Sequence, residues 1–187
     1  MKTYTRKEPG FSLCGLNCYL CPRYHTAGAS KCPGCGGPNF YSQHPSCAVI
    51  NCNERHDKVE YCFECSEFPC DKYRGPADAD SFISYRNVGA DMAEAGQDIE
   101  GYMCNLRVKL RHLETLLENY DDGRSKGFYC RAVNLLPLPE LEKCLESVAS
   151  SVTVANDDAG QRANRMRDVL ESKAKELGID LSLRKKG

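Results

Sequence analysis

The chain has 187 residues, 13 cysteines and a formal net charge of −1 at pH 7. This length suffices for one medium domain, or for a small module joined to a helical domain. The near-neutral charge gives no general attraction to nucleic acid or to an anionic membrane. Basic residues cluster only near the two ends, and we interpret both clusters as solvated tails. They are Lys2, Arg6, Lys7, Arg184, Lys185 and Lys186.

The role of the cysteines depends on the compartment that the sequence predicts. The N-terminus has no apolar core of signal-peptide length, and no stretch approaches the roughly 20 apolar residues of a membrane span. We therefore expect a cytoplasmic protein, in which dense cysteines indicate metal ligands or catalytic thiols before disulfides. The odd number of cysteines also fits poorly with a fully paired disulfide scaffold.

Ten of the 13 cysteines lie between Cys14 and Cys70, and we predict that this segment binds metal. The predicted ligands are Cys14, Cys18, Cys21, Cys32, Cys35, Cys47, Cys52, Cys62, Cys65 and Cys70. Two thiolates of a C-x2-C turn can reach one ion. In the turn from Cys32 to Cys35, Pro33 presets φ and Gly34 tolerates the positive φ at which the chain folds back over an ion. This pattern is typical of a zinc knuckle.

The spacing of the cysteines predicts about two zinc ions. Ten residues separate the pair Cys18/Cys21 from the pair Cys32/Cys35, which resembles a treble-clef or ribbon-like Cys₄ site. A second site is expected to draw on later cysteines, although interleaved pairing stays open. Its candidate ligands are Cys62 and Cys65 with two of Cys47, Cys52 and Cys70.

Two Cys₄ sites would leave two of the ten cysteines over. These are either spare thiols, with Cys47 and Cys52 as a candidate pair for redox or metal-sensing chemistry, or part of a third site completed by histidine. Three histidines lie in the segment, and each alone is more simply interpreted as a solvated loop residue. They are His25, His44 and His56.

An iron–sulfur cluster is the alternative to zinc at the start of the segment. The spacing Cys14-x3-Cys18-x2-Cys21 matches the cluster motif of radical-SAM enzymes. We reject radical-SAM chemistry because no alternating strand–helix pattern follows the motif. A simple cluster with a fourth cysteine from elsewhere survives this objection and would indicate a redox or electron-transfer protein.

Apolar residues of the segment are too few to hold it folded, so bound metal would supply much of its folding free energy. The predicted fold class is a small irregular metal-stapled cysteine-rich module, zinc-knuckle or ribbon-like, plus an all-α helical domain. Gly75-Pro76 marks the boundary, which gives residues 1–75 to the module and residues 76–187 to the helical domain.

Five helices or helical regions are predicted after this boundary. Residues 78–100 carry short helical turns interrupted by Gly89 and Gly96. Apolar residues then recur at steps of three and four over residues 100–120, which predicts a long helix with one buried stripe. A second helix is predicted over residues 125–136, and a third begins near Pro139, since proline suits a first helical turn.

The last predicted helix begins at a capping box. Asp158 and Gln161 have the required spacing, and the helix should end near Leu177, with Gly178 beyond it. Residues 179–183 alternate and are expected to form a short strand or an extended tail, and Val152 and Val154 lie in a predicted linker. The three cysteines of this half are interpreted as buried structural residues. They are Cys104, Cys130 and Cys144.

The motifs CGLNCYLCPRY, CPGCG and EYCFECSEFPCDKY resemble a family of cysteine-rich prokaryotic proteins called domain of unknown function 3795. The resemblance extends through YRNVGADM, LLENYDDGRSKGFYC and AVNLLPLPELE. It places the family pattern on all ten predicted cysteine ligands and on Pro69. It implies metal binding and no particular activity.

The expected role is binding or regulation rather than catalysis. Signatures of hydrolases, kinases and dinucleotide-binding enzymes are absent from the sequence. Two Cys₄ sites would also lack the open coordination position of catalytic zinc. A protein is the expected partner, and the near-neutral charge counts against nucleic acid. Aromatic residues that could meet the partner are Tyr19, Tyr24, Phe40, Tyr41, Phe63 and Phe68.

Overall fold

The computed structural model describes residues 4–44, 47–73, 79–150 and 157–185, which form helices and turns. The α-helices are α1 (Phe40–Gln43), α2 (Ala48–Asn53), α3 (Val88–Gln97), α4 (Ile99–Asn119), α5 (Lys126–Leu135), α6 (Leu138–Ala149) and α7 (Ala159–Glu176). Short 3₁₀ turns cover Cys18–Leu20, Gly28–Ser30, Cys62–Glu64 and Asp71–Tyr73. Within the described ranges there is one isolated bridge, Phe11 with Asn17, and no strand. The all-helical part of the predicted fold class is confirmed for these residues.

The helices of the second half begin and end close to the predicted residues. In α4 the predicted stripe is buried, with Leu106 and Leu113 in the core. The Asp98 side chain accepts a hydrogen bond from the Gly101 N–H and caps its N-terminus. The capping box of α7 is confirmed, because Asp158 and Gln161 exchange hydrogen bonds of 2.8 Å.

The prediction that glycines interrupt the region before α4 is wrong. Gly89 and Gly96 both lie inside α3, which is continuous. The helix packs with Met92 and Ala95 in the core, and a Cβ at Gly96 would lie 3.6 Å from the Phe63 ring. Tertiary packing therefore outweighs the helix penalty of about 1 kcal/mol per glycine.

The main hydrophobic core joins the cysteine-rich segment to the helices. Phe11, Leu20 and Tyr61 are buried in the same cluster as the apolar faces of α4 to α7. The Phe11 ring lies 4.8 Å from the Tyr102 ring of α4, centroid to centroid. The helical half therefore supports one side of the cysteine-rich segment. The predicted boundary at residues 75–76 and the predicted linker at residues 152–154 lie outside the described residues.

A smaller hydrophobic cluster lies wholly within the cysteine-rich segment. Its buried members are Leu13, Cys35, Phe40 and Ile50. Partly buried residues packed against it include Cys18, Cys47 and Cys62. With so few apolar side chains, this cluster would bury too little surface to fold alone. The helices of the described part of the chain include none that is long and apolar enough to cross a membrane.

The C-terminal tail is anchored on an enclosed carboxylate, so the interpretation of Arg184 as solvated is wrong. Arg184 donates to Asp80 from Nη2 at 2.7 Å and from its backbone N–H at 2.9 Å. The Asp80 side chain is 0% exposed and also accepts from the Tyr85 N–H at 2.9 Å. Residues 179–183 form no strand, and the extended-tail alternative agrees with the structure.

We expect Asp80→Asn to lower the free energy of unfolding by about 3 kcal/mol at pH 7, because it leaves the Arg184 charge without its partner. Burial alone would raise the pKa of Asp80, but the hydrogen bonds from Arg184 and Tyr85 hold that pKa well below its usual range. The unfolded state therefore binds a proton at higher pH than the folded state, and the contribution of Asp80 is lost as pH falls. Urea unfolding between pH 2 and pH 7 checks this. If the free energy of unfolding of Asp80→Asn fell between pH 7 and pH 2 as steeply as that of the unchanged protein, the prediction would be contradicted.

Candidate metal centre

Within the described residues, none of the ten predicted ligands lies in a disulfide. In the described ranges, no group of three or more His, Cys, Asp and Glu side chains is arranged so that it could hold a metal ion as it stands. The fold nevertheless gathers eight of the ten thiols into two groups and leaves Cys21 and Cys32 outside them, with Cys32 beside His44.

The first cysteine group consists of Cys14, Cys18, Cys35 and Cys47. Burial raises the pKa of Cys14 to about 11, and the thiols of Cys35 and Cys47 contribute to this shift. Burial likewise raises the pKa of Cys18, with contributions from Cys35 and Cys14. Each of the four thiols is therefore within electrostatic range of others in the group. Four soft sulfur donors in one apolar neighbourhood fit Zn²⁺, which would bind them as thiolates.

The turn that presents Cys35 depends on glycine, as predicted. Gly34 has a φ of 82°, and a Cβ there would lie 2.4 Å from the Pro9 carbonyl oxygen. The same carbonyl accepts the Cys35 N–H at 2.9 Å. The CPGCG turn therefore docks tightly onto the chain before the first cysteine. A side chain at position 34 would break this contact and move Cys35.

A buried arginine lies beside the first cysteine group, so the interpretation of Arg6 as part of a solvated tail is wrong. The Arg6 side chain is 2% exposed and donates to the carbonyl oxygens of Glu60 at 2.6 Å and Phe11 at 2.7 Å. Burial raises the pKa of Cys35, and the Arg6 charge and its hydrogen bond to the thiol oppose this shift. Four thiolates around Zn²⁺ carry excess negative charge, which a buried guanidinium would offset.

The second cysteine group lines a pocket of about 250 Å³. Its members are Cys52, Cys62, Cys65 and Cys70, and His56 lines the same pocket. Cys62 and Cys65 lie in one turn, in which the Cys65 N–H donates to the Cys62 carbonyl at 3.1 Å. Val49, Val59 and Phe68 form the apolar wall. This donor set also fits Zn²⁺, as Cys₄ or as Cys₃His.

Cys21 and Cys32 belong to neither group, whereas Cys47 and Cys52, the candidate spare pair of the sequence, lie in the first and the second group. The Cys32 Sγ lies 3.2 Å from the His44 Nε2. Burial raises the pKa of Cys21, and Cys32 contributes to that shift. One of the three histidines, His44, therefore contacts a thiol that belongs to neither group. No spacing rule could have indicated this, because the Cys32–His44 contact depends on how α1 folds back.

The remaining histidine and cysteines stand apart from these groups. His25 uses its Nε2 in a 2.7 Å contact with the Tyr19 carbonyl oxygen. The prediction of buried structural cysteines is confirmed for Cys130 and Cys144 and wrong for Cys104, which lies on the exposed side of α4. Burial raises the pKa of Cys130 to about 12, as expected for a thiol that serves packing.

Comparison with known proteins adds one match. No curated protein and no solved structure matches the chain. The match to a family ends before YRNVGADM, so the resemblance inferred for the helical half is not part of it. The predicted resemblance is confirmed for the cysteine-rich segment, since residues 10–75 match the model of the family described as Protein of unknown function (DUF3795).

Proposed function

We propose that the chain is a zinc-binding cytoplasmic protein in which about two ions act as structural staples. One ion is held by the first cysteine group and the other by the second. The observation that carries this proposal is the gathering of Cys18, Cys35 and Cys47 at one small apolar cluster, with Cys14 within electrostatic range of two of them. Arg6, which forms an ion pair of 3.5 Å with Glu60, also interacts with Cys35 and would help to offset the negative charge of thiolates on a metal.

The proposed role is binding or regulation, with another protein as partner. Four sulfur ligands in each site leave no open position for a substrate on the metal. The aromatic residues named from the sequence are not equally suited to meet a partner. Phe40 is buried in the smaller cluster, while the other five are partly buried. Among these, the rings of Tyr19 and Tyr24 lie 5.3 Å apart and form an aromatic pair that a partner could contact.

An iron–sulfur protein is the second candidate, and one observation favours it. The pKa of Cys18 is influenced by both Cys14 and Cys21. All three thiols of the C-x3-C-x2-C motif are therefore near one another, as a cluster with a fourth cysteine requires. Cys35, which also acts on Cys18, would be the fourth ligand.

Metal analysis after anaerobic purification tests the proposal. We expect a colourless protein with about two zinc ions per chain. Cys35→Ser should lower this by about one ion, because it removes a ligand of the first cysteine group. Cys104→Ser, which changes an exposed cysteine outside both groups, is the matched control and should leave the content unchanged. Brown protein with iron and acid-labile sulfide would support the cluster, and folded protein free of both metals would overturn both.

A further inference from the structure

A second candidate site lies away from the cysteines, in a cavity of about 360 Å³. It is bounded by α3, by the middle of α4 and by the chain that joins α5 to α6, and no cysteine lines it. Polar groups of the wall include Asp91, Glu94, Tyr102 and Lys109. The YRNVGADM and AVNLLPLPELE segments, singled out in the sequence but not used by the metal sites, both contribute to this wall.

A hydrogen-bond network forms the base of the cavity. The buried Asn17 accepts from the Tyr102 hydroxyl at 2.8 Å. Its amide N–H groups donate to Asp91 Oδ2 and to Asn134 Oδ1, both at 3.1 Å. The Asn17 side chain thus has a partner at each of its polar atoms. The network fixes the Asp91 carboxylate at the cavity wall.

The Lys109 amine and the carboxylates of Asp91 and Glu94 line the same cavity. It donates to the Leu136 carbonyl oxygen at 2.9 Å and more weakly to that of Asn134 at 3.5 Å. An ammonium group has three donors, so one remains for the cavity. Burial lowers the pKa of Lys109, and Asp91 and Glu94 oppose this shift through space. The ion pairs of the described residues do not include Lys109 with either carboxylate.

A purely structural role would leave this arrangement incomplete. Lys109 does cap the end of α5, which accounts for its two hydrogen bonds. Lys109 is half-buried, and among the described residues its charge has no direct ion pair with either carboxylate, so an anionic ligand group would stabilise it. Burial also raises the pKa of Asp91 to about 7, against the opposing charge of Lys109. Opposite charges around one cavity are complementary to a ligand that carries both signs.

We propose that this cavity binds a small zwitterion of amino-acid size. Its ammonium group would contact Asp91 and Glu94, and its carboxylate would contact Lys109. The apolar part of the wall, which includes Leu106 and Pro137, would receive an apolar side chain. The volume lies near the lower end of small-molecule sites, at roughly 300 Å³ and above, which suits a ligand of this size.

Isothermal titration calorimetry on the full metal-loaded chain tests this proposal. Each of the common free amino acids is titrated at millimolar concentration, together with the corresponding acid that lacks the amine and the amine that lacks the carboxylate. We expect at least one amino acid to bind, with both truncated compounds weaker by about tenfold or more, since each loses a charge-assisted contact. Absence of binding by every amino acid would overturn the proposal. Equal binding of a truncated compound would also overturn it.

Two variants locate the binding. Lys109→Met keeps the aliphatic stem and removes the amine. Glu94→Gln changes an exposed residue and should not disturb folding. Either change should weaken the binding of the amino acid by about tenfold. The control Glu100→Gln, which changes an exposed glutamate outside the cavity wall, should leave the affinity unchanged. Unchanged affinity in Glu94→Gln and Lys109→Met would place the binding elsewhere and reject this site. Zinc content is measured in parallel, so that failure here and failure of the metal proposal are distinguished.

Discussion

Removal of metal from the folded protein is expected to unfold most of the cysteine-rich segment and to leave α4 to α7 helical. The smaller hydrophobic cluster has four buried members, too few to hold residues 32–70 without ions. Structural zinc in small modules contributes on the order of 10 kcal/mol, which exceeds the stability of many domains. The helices have their own core, which includes Leu113, Tyr129 and Met166. The loss of structure should therefore stop short of them.

Hydrogen exchange before and after chelation measures this effect by region. Amides of residues 32–70 should lose their protection, whereas Phe11 and Leu20 should keep part of theirs because they pack with the helical core. Readdition of zinc should restore protection, and magnesium, which prefers oxygen ligands, serves as the control ion. Unchanged protection of residues 32–70 after complete metal removal would show that the ions are not structural.

The helical half could be predicted from the sequence because its signals are local. A stripe at steps of three and four residues defines α4, and the Asp158 capping box defines the start of α7. The glycines of α3 misled the prediction for a physical reason. Their cost is small and local, whereas the burial of Met92 that outweighs it depends on the rest of the fold.

The grouping of the cysteines could not be predicted, because spacing restricts only neighbours in the chain. The spacing favoured one site of Cys18, Cys21, Cys32 and Cys35, with interleaved pairing left open, whereas Cys18 packs with Cys35 and Cys47 at the smaller cluster. This grouping depends on long-range docking, such as that of the CPGCG turn onto Pro9. The interpretation of Arg6 and Arg184 as residues of solvated tails is wrong for the same reason. Their partners are 54 and 104 residues away in the chain.

Substitution of Asn17 by alanine is expected to lower the free energy of unfolding of the metal-loaded protein by about 3 kcal/mol. Asn17 is 4% exposed and lies between the cysteine-rich segment and the helices. The change removes three hydrogen bonds, which join Asn17 to the Tyr102 hydroxyl, to Asp91 Oδ2 and to Asn134 Oδ1. The loss of stability is smaller than the cost of leaving every former partner of Asn17 buried without a hydrogen bond, because Asp91 borders the cavity and water can reach it.

A double-mutant cycle with Tyr102→Phe separates the network from simple packing. Tyr102→Phe should cost about 1 kcal/mol, since it removes one hydrogen bond and keeps the ring. Combined with Asn17→Ala it should add less than its own cost, because the bond between the two residues is already lost. Asn119→Ala, at the exposed end of α4, is the matched control and should shift stability by less than about 0.5 kcal/mol. Strict additivity of the two core substitutions would mean that the 2.8 Å hydrogen bond contributes nothing, and that Asn17 joins the two halves by packing alone.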